Sequence, residues 1–212
     1  MRMLSAVAGL VLAFSGVVAQ AADSFSEGNG YSTLEQQVRP ADSSRIEVNE
    51  VFSYACPHCF HFEPLLAAWA KKQAADVNLV QTHASFNRPD WTAYQRGYYT
   101  VLSLGIKDKV QEAVFNSIHV AHKELTTVET WADFLSIYGV DKQKTTSMYN
   151  SFGVNSQIKQ AEAKVRDFKV TSTPQLIIDG RFRVTAKSHE DMLKVTDFLI
   201  AKIRAERAAL KK

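Results

Sequence analysis

Between positions 44 and 84, short apolar runs flank one amphipathic stretch. Residues 46–53 combine β-branched, apolar and aromatic side chains and predict a buried strand. From Pro57 onward apolar residues recur at helical spacing, and Pro64 within this stretch is expected to kink the helix or split it in two. Residues 76–84 alternate between two faces and predict a second strand. Strand, helix and strand at this spacing predict a βαβ unit.

The pattern then changes to helical spacing over residues 90 to about 169. Helix start and stop signals recur throughout this block. Thr126 with Glu129 predicts a capping box, Asp141 predicts the start of a short helix, and Asn155 predicts the cap of the next one. We therefore expect a helical subdomain placed between two β-containing segments.

The last part of the chain returns to β structure. Residues 175–178 and 181–184 are expected to pair as a hairpin across Asp179-Gly180, a strong signal for a type I′ turn. Ser188 begins a final amphipathic helix. The whole pattern predicts an α/β protein in which the helical block is an insertion.

The N-terminus has the three parts of a signal peptide. Arg2 supplies the positive charge, residues 4–14 form the apolar segment, and Ala19-Gln20-Ala21 is a small-residue cleavage site. A membrane anchor is the alternative, but the apolar segment is short and ends in small residues. We expect residues 1–21 to be removed by cleavage after Ala21, which leaves a soluble protein in an oxidising compartment.

Composition and charge exclude some functions. The 212 residues are 46% apolar and 22% charged, with a formal net charge of +3. These values are ordinary for a globular protein, and the basic residues form no concentrated face of the kind that nucleic acid or a membrane surface requires. We expect a monomer that does not bind nucleic acid.

The candidate chemistry lies in the only two cysteines, Cys56 and Cys59, with Pro57 and His58 between them. One such pair supplies two of the four ligands of a structural zinc site. A c-type haem would need histidine at position 60, which is Phe60. A structural disulfide over so short a loop would stabilise the fold little. A redox-active pair explains more of the sequence pattern than a metal site or a structural disulfide does.

The redox interpretation rests on the predicted turn from strand to helix. Cys56 would lie at the helix N-terminus with Pro57 at the first helical position. The free N–H groups of His58 and Cys59, together with the helix dipole, would stabilise a thiolate at Cys56 and lower its pKa, and the His58 imidazole could add a donor. Each pKa unit is about 1.4 kcal/mol, or about 30 mV toward a more oxidising disulfide. The pattern predicts a disulfide donor.

The motif "CPHC" at the start of a helix, the helical insertion, and a Thr-Pro pair before a hairpin resemble the DsbA family of bacterial periplasmic thiol–disulfide oxidoreductases. The likeness covers essentially all of the chain after the signal peptide. It implies a thioredoxin-like fold with an inserted all-helical subdomain. The implied boundaries are residues 22–88 and 170–212 for the thioredoxin-like domain and residues 89–169 for the insertion.

The resemblance also implies roles for individual residues. Cys56 would be the exposed nucleophile, Cys59 its buried partner, and His58 the dipeptide residue that tunes the couple. Pro174 would be the family's cis-proline. Thr173 would lie against the disulfide and offer backbone groups to an extended substrate.

Glu50 matches a buried acidic residue of the family and would lie beneath the cysteines, where it could take the proton from Cys59. The alternative is an exposed charge, as most glutamates are. Two positions depart from the family pattern: Thr173 stands where many members have valine, and Gln81 stands where some relatives have a lysine. These departures leave open how oxidising the protein is and which partner re-oxidises it.

The implied function is the donation of the Cys56–Cys59 disulfide to unfolded exported proteins with free cysteines. A quinone-linked membrane partner of DsbB type would re-oxidise the pair, and no dissolved cofactor is implied. A disulfide reductase or isomerase is one alternative. A non-catalytic exported binding protein with a structural disulfide is the other.

Overall fold

A computed structural model describes residues 25–210, so the predicted signal peptide lies outside the described residues. The strands are β1 (Ser26–Glu27), β2 (Gly30–Thr33), β3 (Ile46–Phe52), β4 (Val77–His83), β5 (Gln175–Ile178) and β6 (Phe182–Val184). The helices are α1 (Pro57–Ala70), α2 (Pro89–Ser103), α3 (Lys107–His119), α4 (Val128–Ser136), α5 (Lys142–Tyr149), α6 (Phe152–Asp167) and α7 (His189–Ala209).

The six strands form one mixed sheet in the order β1-β2-β6-β5-β3-β4. β3 lies between β4, with which it runs parallel, and β5, with which it runs antiparallel. Every residue of β3 is buried. Because α1 connects β3 to β4, the predicted βαβ unit is confirmed. None of the helices within residues 25–210 is long and apolar enough to cross a membrane.

α1 begins where the sequence predicts. Cys56 is its N-cap residue with extended backbone angles, and Pro57 occupies the first turn, where the missing N–H is not needed. Of the two expected effects of Pro64, the split is wrong, because α1 continues through this proline as one helix of 14 residues, and the kink stays a prediction. The buried side chains of α1 pack on the sheet and hold the helix together across the lost hydrogen bond.

Five helices, α2 to α6, lie between β4 and β5. Asp141 caps α5 as predicted, and its side chain accepts a hydrogen bond from Lys144 N–H. The cap of α4 is predicted one residue too early. Thr127, rather than Thr126, is the N-cap residue, and its capping box is completed by Thr130 rather than by Glu129. A threonine hydroxyl here takes the place of the acidic side chain that the motif usually requires.

α6 begins one turn earlier than predicted. Ser151 is its N-cap residue and accepts a hydrogen bond from Val154 N–H, so Asn155 lies inside the helix. Phe152 occupies the first helical position although its side chain is exposed, which hides the start from a search for apolar periodicity. The boundaries of the subdomain as a folding unit remain a prediction.

The hairpin forms as predicted except for its register. Asp179 and Gly180 both have positive φ, at 53° and 62°, as a type I′ turn requires. Ile178 pairs with Phe182 rather than with Arg181, which belongs to the loop. The sequence pattern did not predict β1 and β2. These short strands extend the sheet beyond β6, where Tyr31 pairs with Val184.

Two large groups of buried side chains surround α1. One joins the sheet, α1 and α7, and includes Phe62, Leu66 and Val195. The other joins the end of β3 and the start of α1 to the inserted helices, and includes Cys56, Cys59 and Trp131. The cysteine pair therefore lies where the thioredoxin-like part meets the helical insertion.

Candidate active site

Cys56 and Cys59 lie at the junction of β3 and α1 as free thiols. Cys59 is 1% exposed, and Cys56 is only 4% exposed. The expectation of an exposed Cys56 therefore needs correction. Its Sγ lies 3.3 Å from the carbonyl oxygen of Thr173, so the loop before β5 covers the sulfur.

The covering loop comes from a distant part of the chain. Thr173 and Cys56 are 117 residues apart in sequence. They meet because β5 pairs antiparallel with β3, which brings the start of β5 beside the end of β3. The Thr173–Pro174 peptide bond is cis. The structure thus brings together Cys56, Thr173 and Pro174, as the family resemblance implies.

The surroundings of Cys56 favour its thiolate and lower its pKa to about 5. The largest contribution is a hydrogen bond from the Cys59 thiol, followed by contacts with Thr173 and with the backbone N–H groups of Cys59 and His58, while burial acts in the opposite direction. Thr173 can form a hydrogen bond with Cys56 in both its thiol and its thiolate form. A thiol at Cys56 donates to the Thr173 carbonyl, whereas a thiolate accepts from the Thr173 hydroxyl.

Cys59 behaves in the opposite way. Burial raises its pKa well above the usual value, and the nearby Cys56 sulfur and the Glu50 carboxyl raise it further. Between the pKa of Cys56, about 5, and the raised pKa of Cys59, the reduced pair consequently holds one proton on Cys59 and a negative charge on Cys56. This arrangement is what nucleophilic exchange at Cys56 requires, because the thiolate is the reactive form.

Pro57 and His58 are both exposed at the first turn of α1. The contribution of His58 to the Cys56 thiolate comes from its backbone N–H. The predicted effect of its imidazole ring stays a prediction. Pro57 keeps the first turn helical and leaves the N–H groups of the next two residues directed at the sulfur.

Glu50 is 1% exposed on β3, so the alternative of a surface charge is wrong. It lies opposite Gln81 on β4, whose amide donates a 2.7 Å hydrogen bond to Glu50 Oε2. Burial, followed by the nearby Glu63 carboxylate, raises the pKa of Glu50 to about 8. Its other carboxyl oxygen, Oε1, has no hydrogen-bond partner. A carboxyl group with this pKa gains and loses a proton near neutral pH, as a proton-transfer group must.

Glu63 is a second, partly buried acid that the sequence analysis missed. It accepts hydrogen bonds from Gln81 at 3.1 Å and from Gln111 at 3.2 Å. Burial raises its pKa, and these two amides oppose the increase. Glu63 follows Cys59 by four residues on α1, so it lies on the same face of the helix. The spacing of four residues from Cys59 was the signal in the sequence that could have identified Glu63.

Tyr54, two residues before Cys56, is held from three sides. Its backbone N–H donates to His83 Nε2 at 2.9 Å, its hydroxyl donates to Gln111 Oε1 at 2.6 Å, and its carbonyl oxygen lies 2.7 Å from His119 Nε2. Burial lowers the pKa of His83 to about 3, so this ring is neutral and accepts. The inserted helices thus fix the segment that presents the nucleophile.

Within residues 25–210, no group of three or more histidine, cysteine and acidic side chains is arranged to hold a metal ion. The chemistry that the site offers is carried by the two sulfurs, the hydrogen-bond donors around Cys56 and the acid pair beneath them.

Comparisons with known proteins show which family the chain belongs to. Residues 47–196 match the family model described as "DSBA-like thioredoxin domain". The chain is 39% identical to the thiol:disulfide interchange protein DsbA of Pseudomonas aeruginosa, with both chains covered completely, and 38% identical to that of Pseudomonas syringae pv. tomato.

Solved structures give the same result. The crystal structure of Pseudomonas aeruginosa DsbA superposes with a TM-score of 0.82 at 39% identity, covering 90% of this chain and 99% of that one. DsbA from Xylella fastidiosa superposes with a TM-score of 0.81 at 31% identity, covering 85% and 98%.

The fold and the paired thiols define the class: a thiol:disulfide oxidoreductase of thioredoxin-like fold. Within that class, the chain belongs to the DsbA family.

Proposed function

We propose that this protein oxidises exported proteins in the periplasm by donating a Cys56–Cys59 disulfide. The observation that carries the proposal is the depressed pKa of Cys56, about 5. At neutral pH about 99% of such a thiol is thiolate. The stabilised thiolate exists only in the reduced protein, so it favours reduction of the enzyme and oxidation of the substrate.

The reaction begins when a substrate thiolate attacks the Cys56 sulfur. A mixed disulfide forms between the substrate and Cys56, the Cys56–Cys59 bond breaks, and Cys59 leaves as a thiolate. Because its pKa is raised well above the usual value, Cys59 takes up a proton at once. Glu50, protonated at neutral pH by its raised pKa, is the proposed proton donor.

A second substrate thiolate then attacks the substrate sulfur of the mixed disulfide. The bond to Cys56 breaks, and Cys56 leaves as a thiolate. The substrate has lost two electrons and two protons. The enzyme holds the two electrons and one proton on Cys59, the other proton is released to solvent, and Glu50 is reprotonated from solvent. The loop that contains Thr173 and Pro174 covers the Cys56 sulfur. We propose that the backbone of this loop pairs with an extended segment of the substrate.

To act again, the reduced Cys56–Cys59 pair must be re-oxidised to a disulfide, and its two electrons must pass to an acceptor. We infer a quinone-linked membrane partner of DsbB type, on the basis of membership in the DsbA family. No dissolved cofactor is needed, because the two sulfurs carry both electrons. The periplasmic location rests on the predicted signal peptide and on the same family membership.

Oxidative refolding tests the proposal. A reduced, unfolded disulfide protein is mixed with oxidised enzyme, and recovery of its activity is followed alongside reactions with the Cys56→Ser and Cys59→Ser variants. We expect wild type to restore activity and Cys56→Ser to be inactive. Equal recovery with wild type and Cys56→Ser would favour a non-catalytic binding protein. Reshuffling of a scrambled substrate without net oxidation would favour an isomerase.

A further inference from the structure

Gln81 occupies the centre of the acid pair beneath the cysteines. Its amide nitrogen donates to Glu50 Oε2 at 2.7 Å and to Glu63 Oε2 at 3.1 Å. An amide has two N–H donors and one carbonyl oxygen, so both donors are used by the two carboxyl groups. The carbonyl oxygen must therefore point away from the acids, toward a donor from elsewhere.

Two donors from α3 reach this oxygen: Gln111 Nε2 at 3.4 Å and, closer, Lys107, the first residue of the helix. Lys107 Nζ lies 3.0 Å from Gln81 Oε1 and also 3.0 Å from the exposed Asp108 carboxylate, and the Lys107 side chain is 25% exposed. Lys107 thus comes from the helical insertion and meets the acid pair through one neutral amide. Its positive charge lowers the pKa of both Glu50 and Glu63.

We propose that Lys107 is a positioning residue that acts through Gln81 to determine how readily the Glu50–Glu63 pair exchanges a proton with Cys59. This inference rests on the proposed function, in which Glu50 serves Cys59. It explains how the pair remains able to ionise although position 81, directly opposite Glu50, carries no charge.

The groups around Glu50 set the direction of the effect. Those with a titratable or charged side chain are Glu63 and Cys59 of α1, Cys56 at its N-cap, Lys107 of α3 and Tyr98 of α2, whereas Tyr54 after β3 and Asp108 of α3 act on Glu63. Lys107 is the group in this set that favours the ionised acids. Without it, the pKa of Glu50 rises further, and the carboxylate that accepts a proton from Cys59 becomes scarce at neutral pH.

A cavity of about 850 Å³ between α1 and α3 gives this arrangement contact with solvent. Glu63, Gln81, Lys107 and Gln111 line it, whereas Glu50 lies deeper and is buried. Thr173 and Pro174 are not among its lining residues. A bound substrate at the Thr173 loop would consequently leave Lys107 in contact with water, and the acid pair could exchange protons while the sulfurs are covered.

The test isolates the step in which the Cys59 thiol must give its proton to a base. Reduced enzyme is mixed with glutathione disulfide, so that Cys56 first forms a mixed disulfide with glutathione. Cys59 then loses its proton and attacks the Cys56 sulfur, which closes the enzyme disulfide and releases glutathione as a thiolate. The rate of this second step is measured across pH for wild type, Lys107→Met, Lys107→Arg and Lys109→Met.

Lys109 is the matched control, since it lies on the same helix, is exposed and donates to Tyr138 O. We expect Lys107→Met to move the midpoint of the pH profile upward by roughly one unit and to slow closure at neutral pH roughly tenfold. Lys107→Arg should restore most of the rate, and Lys109→Met should match wild type. Identical profiles for Lys107→Met and Lys109→Met would overturn the proposal.

A double-mutant cycle tests the route through Gln81. In a Gln81→Leu background, Lys107→Met should have little further effect on the midpoint. If the midpoint of the double variant instead shifts by the sum of the two single-variant shifts, Lys107 does not act through the Gln81 amide and that route is refuted. Thermal unfolding of each variant checks its folding. Failure of the proposed function would look different, because wild type itself would then form no mixed disulfide rapidly and would not oxidise substrate.

Discussion

Replacing Thr173 by valine removes one hydroxyl group from the loop over Cys56 and leaves the shape of the side chain nearly unchanged. That hydroxyl contributes to the lowered pKa of Cys56, which lies at about 5. Hydrogen bonds to charged groups contribute about 1.5–3 kcal/mol. Because Thr173 is partly exposed, we take the lower end, about 1.5 kcal/mol, which corresponds to about one pKa unit. We expect the pKa of Cys56 to rise to about 6 in Thr173→Val.

The same free energy makes the disulfide less oxidising by about 30 mV, a tenfold change in its equilibrium with glutathione. The pKa of Cys56 is measured from the ultraviolet absorbance of its thiolate during a pH titration of the reduced protein. The equilibrium with glutathione is measured by quenching the mixture and separating the reduced and oxidised forms of the protein. Thr173→Ser keeps the hydroxyl and should behave as wild type. If Thr173→Val and Thr173→Ser titrate together with wild type, the hydroxyl does not stabilise the thiolate and the reasoning fails.

Two further changes test the interior of the protein. In the folded state Glu50 keeps a proton up to a pKa of about 8, whereas the unfolded chain releases it at about 4.5, so this group makes stability fall as pH rises between those values. Glu50→Gln should remove the effect, and its stability relative to wild type should increase by up to ~1.4 kcal/mol per pH unit in denaturant unfolding. Gly97→Ala should destabilise by about 1–3 kcal/mol, because the added Cβ would lie 2.0 Å from the Trp131 ring. In Gly153→Ala the added Cβ would lie 3.8 Å from Ser151 Oγ, an ordinary van der Waals contact near a helix start, so this variant should be nearly neutral in the same assay.

The sequence pattern predicted the parts of the site that lie close together in the chain. The strand before Cys56 and the proline after it determine the start of α1, and the N–H groups of the first turn then face the sulfur. These features follow from local backbone geometry. Thr173 and Pro174 were predicted only through the family resemblance, since nothing in the local sequence indicates that β5 pairs with β3.

The acid pair shows what local reasoning misses. Glu50 and Gln81 were both considered, but their contact depends on the register of β3 against β4. Lys107 gave no local signal, because an isolated lysine at the start of a helix is normally solvated. Its contact with Gln81 depends on how α3 packs beside α1, which is a tertiary property. The burial of Cys56 was missed for the same reason, since its cover comes from a loop 117 residues away.

The titration of Cys56 in the reduced wild-type protein, combined with its equilibrium constant against glutathione, decides whether this chain is an oxidase. We predict a pKa near 5 and an equilibrium that favours the reduced enzyme and oxidised glutathione. A Cys56 pKa close to 9, together with a strongly reducing couple, would contradict the assignment and favour a reductase.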